Sequence, residues 1–234
     1  AIEGWVRLFV LPATTADKSD AEESARRLMA TITEDPEWNE RDHCKILTLE
    51  HHMAAKRMGF QDLFDPLYEV DDFRTGLLEG TLPATRFFTR TLLRLVAAHQ
   101  SGDKFAVAKV IKESSPLLSE TALKNVSEPR AQLKAVKEAV DSLMSLWAQS
   151  DPTCGAVLES VATSGLFVIP ESLKPVLALK QIKVTAGAGD GVAEEADQLS
   201  DRLEALGMFL NAPFSQVTAY AQYVSDSAPF DTHQ

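Results

Sequence analysis

The glycine-rich stretch 184–191 is the first place in this sequence where phosphate chemistry is conceivable. A loop of this kind binds phosphate when a strand precedes it and a helix N-terminus follows it. Its glycines at 187, 189 and 191 do not fit G-x-G-x-x-G, and the lysine and hydroxyl of G-x-x-x-x-G-K-[ST] are missing. The first turns of the following predicted helix carry four acids that would repel a phosphate: Asp190, Glu194, Glu195 and Asp197. We therefore interpret the stretch as a flexible connector rather than a ligand site.

A second candidate is a metal site in "HCKILTLEHH". The pattern places His43, Cys44, His51 and His52 on one predicted helix, where Cys44 and His51 share a face because they are seven residues apart. Two ligands do not complete a zinc site, and H-E-x-x-H is absent. The apolar residues between them favour Cys44 in the core and one histidine at a helix contact. We therefore expect no metal here.

Paired acids and a serine next to a glycine are the remaining catalytic candidates. Asp71 and Asp72 match the start of a D-D-x-x-D magnesium cluster, but Thr75 stands where the third carboxylate is needed. One of the two acids is expected to cap the helix that follows. The stretch "TSGLFVIP" lacks the nucleophile elbow G-x-S-x-G. The sequence therefore predicts no catalytic residue, no cofactor and no small-molecule ligand, and hence a protein that is not an enzyme.

Proline and glycine residues predict where the helices that would carry any site begin and end. Proline is tolerated at the first helical position, and a preceding Asp or Ser can cap the free amides. Prolines of this kind predict helix starts at 36, 83, 116, 129, 152, 170 and 213. Glycine favours the left-handed conformation that ends helices. It predicts helix ends at Gly59, Gly102, Gly165 and Gly207.

Between these marks, apolar residues recur every three or four positions, which is typical of helices that bury one face. The predicted helices lie near 2–11, 19–33, 36–58, 83–100, 103–113, 116–125, 129–149, 152–164, 170–180, 190–206 and 213–225. Only "QIKVTAG" resembles a strand. We therefore predict an all-α fold of about ten helices in an irregular antiparallel array, either a HEAT/armadillo-like solenoid or a large helical bundle.

Length, cysteine content and the lengths of apolar runs indicate the domain organisation and the cellular compartment. The 234 residues suffice for a hydrophobic core, and we expect a main helical domain at 1–183, a connector at 184–191 and an acidic helical segment at 192–234 that packs on the main domain. Two cysteines far apart in sequence favour a reducing, intracellular compartment, cytoplasmic or nuclear. No apolar run is long enough for a membrane span. The missing initiator Met suggests a piece of a longer protein.

Charge is distributed unevenly along the chain. The net charge is −11, yet residues 84–137 hold ten Lys or Arg against four acids, whereas residues 184–234 hold one Arg against eight acids. Arg86, Arg90 and Arg94 are spaced to form a stripe along one helix. If neighbouring helices stack beside it, a basic groove forms from eight candidate partner-binding residues: Arg86, Arg90, Arg94, Lys109, Lys112, Arg130, Lys134 and Lys137.

Two function classes fit these features, with an all-α enzyme as the third alternative. The first is a non-catalytic helical interaction or scaffold domain that binds a protein or peptide partner. The second is an RNA- or DNA-associated helical domain whose basic stripe contacts phosphates. A solvated basic face without a partner also fits, and Phe87, Phe88 and Phe105 near the arginines are interpreted as core residues rather than as stacking platforms for bases.

Overall fold

The computed structural model describes residues 4, 6–12, 14–15, 18–40, 43–44, 50–119, 122, 129–148, 150–183 and 195–227. The chain divides into two units, Ala1–Leu49 and Glu50–Gln234. Every regular element in the described ranges is helical, so the predicted all-α fold is confirmed. The choice between solenoid and bundle stays a prediction. So does the connector at 184–191, which lies outside the described residues.

In the described residues of the unit Ala1–Leu49 there is one long helix. Helix α1 spans Lys18–Thr33 and is followed by a 3-10 turn at Pro36–Asn39. The helix predicted near 2–11 is wrong for the residues that are described, because 6–12 are not helical. Val6, Leu8 and Val10 are more than four-fifths exposed there. A short amphipathic segment without a packed apolar face does not gain enough stability to form a helix in water.

The unit Glu50–Gln234 holds the other helices that the structure describes with bounds. In chain order they are α2 His51–Met58, α3 Gln61–Tyr68, α4 Asp71–Leu78, α5 Pro83–Phe87, a π-helical turn Phe88–Leu92, α6 Leu93–Gln100, α7 Lys104–Ser114, α8 Pro129–Ser145, α9 Cys154–Ser164, α10 Lys174–Lys183, α11 Glu195–Asn211 and α12 Ser215–Ser227. In the described ranges, three 3-10 turns lie between them at Pro116–Leu118, Leu146–Ala148 and Glu171–Leu173. A helix was predicted at 116–125. Its described residues mainly form the 3-10 turn Pro116–Leu118.

Local chemistry explains where the predicted boundaries differ from the structure. The predicted helix 36–58 is interrupted, because Asp35 caps only the short turn at Pro36–Asn39 and the chain is extended at Glu40. Gly207 does not end a helix but lies inside α11, which continues to Asn211. Gly165 does end α9, with a left-handed φ of 63°. Residues 181–183 of the strand-like stretch are helical.

The starts of α9 and α12 are fixed against each other. The backbone N–H of Cys154 donates to the carbonyl of Ala212, and that of Phe214 donates to the carbonyl of Pro152. The Asp151 carboxylate accepts from the backbone N–H of Ser215 at 3.1–3.2 Å. A carboxylate close to a helix N-terminus satisfies a free amide and complements the helix dipole. These contacts hold the last helix of the described chain against the middle of the unit.

Aromatic side chains form a connected cluster within the core of this unit. Phe60 and Phe64 pack edge to face at 5.7 Å between ring centroids. Tyr220 is fully buried, and its hydroxyl donates to the carbonyl of Leu77 at 2.5 Å. Burial raises the pKa of Tyr220 to about 12. Helices α3, α4 and α12 are therefore joined by both apolar packing and a buried hydrogen bond.

A side chain from α12 caps the start of α3. The residue before α3, Phe60, makes no side-chain capping bond. Instead, Oε1 of the buried Gln216 accepts from the backbone N–H of Leu63 at 2.9 Å, and its Nε2 donates to Asp62 Oδ2 at 2.8 Å. The amide thus satisfies one of the free donors in the first helical turn.

Replacing Gln216 with alanine should lower the free energy of unfolding by about 1–3 kcal/mol, because the buried N–H of Leu63 loses its acceptor. Chemical denaturation followed by circular dichroism measures this difference. Thr218→Ala, at an exposed position on the same helix, is the control and should change stability by no more than about 0.5 kcal/mol. Equal stability of the two variants would show that the Gln216 bond does not contribute.

Candidate partner-binding site

Helices α5 to α7 form a hairpin that carries most of the predicted basic residues. Helix α5, the π turn and α6 run without interruption, and α7 packs back against α6. Gly102 makes the turn between them with a φ of +73°, which favours glycine. Asp103 then caps α7 by accepting from the backbone N–H groups of Phe105 and Ala106 at 3.0 and 2.9 Å. This cap fixes where α7 begins and therefore which of its residues face outward.

The outward side of α7 combines an aromatic ring with two lysines. Phe105, Lys109 and Lys112 lie at i, i+4 and i+7, and all three are exposed. Val110 and Ile111 point to the core and are buried. The expectation that Phe105 is a core residue is wrong, because its side chain is 90% exposed. The cap at Asp103 is the sequence signal that sets this register.

The expectation is confirmed for the other two phenylalanines. Phe87 and Phe88 are buried, and their rings contact each other edge to face. Phe88 also packs edge to face on Phe209 of α11, at 5.1 Å between ring centroids. These two rings anchor the hairpin to the rest of the unit.

Arg86, Arg90 and Arg94 are all exposed on the first arm of the hairpin. The π turn Phe88–Leu92 lies within this row. A π turn closes i→i+5 hydrogen bonds and turns less per residue than an α-helix, so the three arginines are offset from the straight stripe expected for a regular helix. Arg94 Nη2 lies 3.5 Å from Glu113 Oε2 of α7. It is therefore partly neutralised and links the two arms.

The remaining cations of the hairpin have no ion-pair partner within the described part of the chain. Residues 83–115 contain six Lys or Arg and two acids. Asp103 is engaged at the α7 cap and Glu113 pairs with Arg94. We use the term hairpin face for six exposed residues along the two arms, which are the ring on α7 and the five cations without ion-pair partners in the described chain: Phe105, Arg86, Arg90, Lys104, Lys109 and Lys112.

The candidate residues on α8 are not part of this face. Arg130, Lys134 and Lys137 are exposed, but Lys134 pairs with Glu138 at 3.6 Å and Lys137 pairs with Asp141 at 3.4 Å along their own helix. Helix α8 packs mainly on the turn Pro116–Leu118 and on α9. The structure therefore places the lysine row of α7 beside the Arg94 end of the first row, and whether any of the expected rows binds a partner stays a prediction.

An acidic groove lies on a different set of helices, between the α3–α4 corner and α11. Its volume is about 590 Å³, which is within the usual size range of ligand sites. Apolar side chains lining it are Pro66, Val70, Ala205 and Met208. The acids lining it are Glu69, Asp71, Asp72, Asp201 and Glu204, together with one cation, Arg202.

Two of these acids are partly neutralised. Asp71 Oδ1 lies 2.9 Å from Arg74 Nη1, and Asp72 pairs with Arg202. The expectation that Asp71 or Asp72 caps a helix through its side chain is wrong. Both belong to the first turn of α4, and the capping position is Val70, whose side chain has no acceptor. Carboxylates in a first turn still interact favourably with the helix dipole.

The expectation that one histidine lines a helix contact is confirmed, because two of those singled out in the sequence do so, His51 and His52. His51 Nδ1 lies 2.6 Å from the Tyr223 hydroxyl, and His52 Nδ1 lies 2.7 Å from Asp65 Oδ1. Gln61 donates to the other oxygen of Asp65. Asp65 also lines a smaller cavity of about 340 Å³ that adjoins the acidic groove at Pro66 and Met208. These bonds tie α2 to α3 and α12.

Cys44 differs from the expectation in two respects. Cys44 is half-buried rather than in a core, and it precedes α2 instead of lying on it, because α2 begins at His51. Cys154 is fully buried, and burial raises the pKa of its thiol to about 12. A thiol of this kind is a poor nucleophile.

Among the described residues, no three His, Cys, Asp or Glu side chains are arranged to hold a metal ion.

The described helices do not include one with the length and apolar character needed to cross a membrane. Comparisons with protein-family models, curated proteins and solved structures found no match for this chain.

Proposed function

We propose that this chain is a non-catalytic helical interaction domain that binds an acidic protein segment on its hairpin face. The observation that carries the proposal is the exposed ring of Phe105 on the same side of α7 as Lys109 and Lys112, two cations that lack ion-pair partners in the described chain. Contacts between proteins are dominated by a few buried aromatic and cationic anchors, surrounded by charges that select the partner. Phe105 is 90% exposed to water, so a partner that covers its ring stabilises the complex by removing apolar surface from water.

Binding rather than catalysis is favoured by the state of the residues that could react. The Cys154 thiol and the Tyr220 hydroxyl are both buried in the core, and their pKa values are raised by burial. Active sites instead place groups with shifted pKa values in clefts that a substrate can reach. The proposed role therefore needs no cofactor and no small-molecule ligand.

A nucleic acid is the second candidate partner, and Phe105 is also the observation that favours it. An exposed aromatic ring beside cations can stack on a base while the cations contact phosphates. The net charge of −11 lowers the affinity of the chain for a polyanion, and the face offers few cations for phosphate contacts. We therefore place the acidic protein segment first.

The experiment that separates the two compares a fluorescent peptide rich in glutamate and leucine with a fluorescent oligothymidylate at physiological salt. Fluorescence anisotropy should show saturable binding of the peptide and weak binding of the oligonucleotide. Phe105→Ala should weaken peptide binding by about tenfold, as loss of an anchor worth about 1.4 kcal/mol would. Tighter binding of the oligonucleotide, with a steep loss as salt rises, would support the nucleic-acid function instead.

A further inference from the structure

The acidic groove has a pattern along α11 that mirrors the hairpin face. Asp201, Glu204 and Met208 lie at i, i+3 and i+7, so they share one side of the helix over about 10 Å. Met208 is 48% exposed at one end of this row. Both acids are exposed and have no ion-pair partner in the described chain. Read from the C-terminal end, the order is apolar, acidic, acidic.

Helix α7 presents the complementary order over the same length. Read from its N-terminal end, Phe105, Lys109 and Lys112 are apolar, basic, basic. When the two helices are laid antiparallel, Phe105 meets Met208 and each lysine meets one of the two acids. A thioether beside an aromatic ring is a favourable contact, and opposite charges in register select the orientation. The remaining apolar residues of the groove provide a surface that can cover the ring.

We propose that the hairpin face binds a second copy of this chain, through the acidic groove of that copy. This inference rests on the proposed function, because it names the occupant of the same face. The two surfaces share no residue, so the contact is head to tail. An assembly of any length therefore still has one unoccupied hairpin face at one end and one unoccupied acidic groove at the other. The contact extends into chains of copies, and salt weakens it because its charges are exposed.

Sedimentation velocity on the full chain tests this contact over a range of concentrations at low and high salt. At low salt the weight-average mass should rise with concentration, and at high salt it should return toward the monomer. Lys112→Glu and Asp201→Lys should each reduce association by about tenfold or more, because like charges then face each other. The double variant exchanges the charges across the same pair and should restore association. Lys134→Glu, on α8 and outside both surfaces, is the control and should behave as the wild type.

A chain that stays monomeric at every concentration and salt overturns the inference, and so does a double variant that associates no better than the single variants. If such a chain still binds the glutamate-rich peptide, the proposed function stands and only self-association fails. If the wild-type chain binds neither the peptide nor itself, both proposals fail. Asp201→Lys distinguishes them further, because it should lose self-association and keep peptide binding.

Discussion

Replacing Phe88 with alanine should lower the free energy of unfolding by about 3–5 kcal/mol, the largest stability effect that we expect in this chain. Phe88 is fully buried at the π turn, where its ring packs on Phe87, Phe209 and Phe214. Removing the ring leaves a cavity between the hairpin and α11 that the surrounding helices cannot fill completely. Urea denaturation monitored by circular dichroism measures the loss.

Phe105→Ala is the matched control for this prediction. It removes the same side chain from the neighbouring helix of the same hairpin, but from a position that is 90% exposed. Its stability should therefore stay within about 0.5 kcal/mol of the wild type. The pair of variants thus separates the structural role of one phenylalanine from the proposed binding role of the other. A loss of several kcal/mol in Phe105→Ala would mean that this ring is part of the core.

Reversing the charge of Arg90, Lys109 and Lys112 together should reduce binding of the glutamate-rich peptide by about 100-fold or more. Like charges then face the partner across the interface, and such contacts cost several kcal/mol. The helical circular dichroism spectrum and the melting temperature should stay close to those of the wild type, because exposed charges without partners contribute little to stability. Fluorescence anisotropy gives the affinity, and thermal melting gives the stability.

The control for this variant is the same triple reversal on α8, at Arg130, Lys134 and Lys137. It changes the net charge of the chain by the same amount, but on a different helix, where two of the three cations are paired with acids of α8 itself. Peptide binding should be nearly unchanged. Equal loss of binding in both triple variants would indicate a nonspecific effect of total charge, and the hairpin face would not be a site.

Helices with clear end signals were predictable from the sequence, and helices without them were not. Asp103 before α7 and Gly165 after α9 are strong signals, and both helices lie close to where the pattern places them. Helix α3 was not predicted, and α4 was expected only as a helix after Asp71 and Asp72, without bounds. Phe60 and Val70 at their capping positions have no side-chain acceptor, and Pro66 inside α3 is usually a breaker. The missing cap of α3 comes from Gln216, more than 150 positions later in the chain.

The candidate site could be predicted only in part, for the same reason. The cations at Arg86, Arg90, Lys109 and Lys112 follow from local spacing, and the structure leaves them exposed without ion-pair partners in the described chain. The pairing of Arg94 with Glu113 depends on how α6 meets α7, which local spacing does not give. The acidic groove combines the α3–α4 corner with α11, so it exists only after distant segments pack together.

Mapping the peptide contact by NMR tests the central claim most directly. The chain is labelled with ¹⁵N, and the glutamate-rich peptide is added in steps while backbone amide resonances are followed. The proposed function predicts that the largest chemical-shift changes fall on the outward residues of α5 to α7, including Arg90, Phe105 and Lys109, and that α8 changes little. Shifts concentrated on α8, or no saturable shift on the hairpin, would contradict the hairpin face as the partner-binding site.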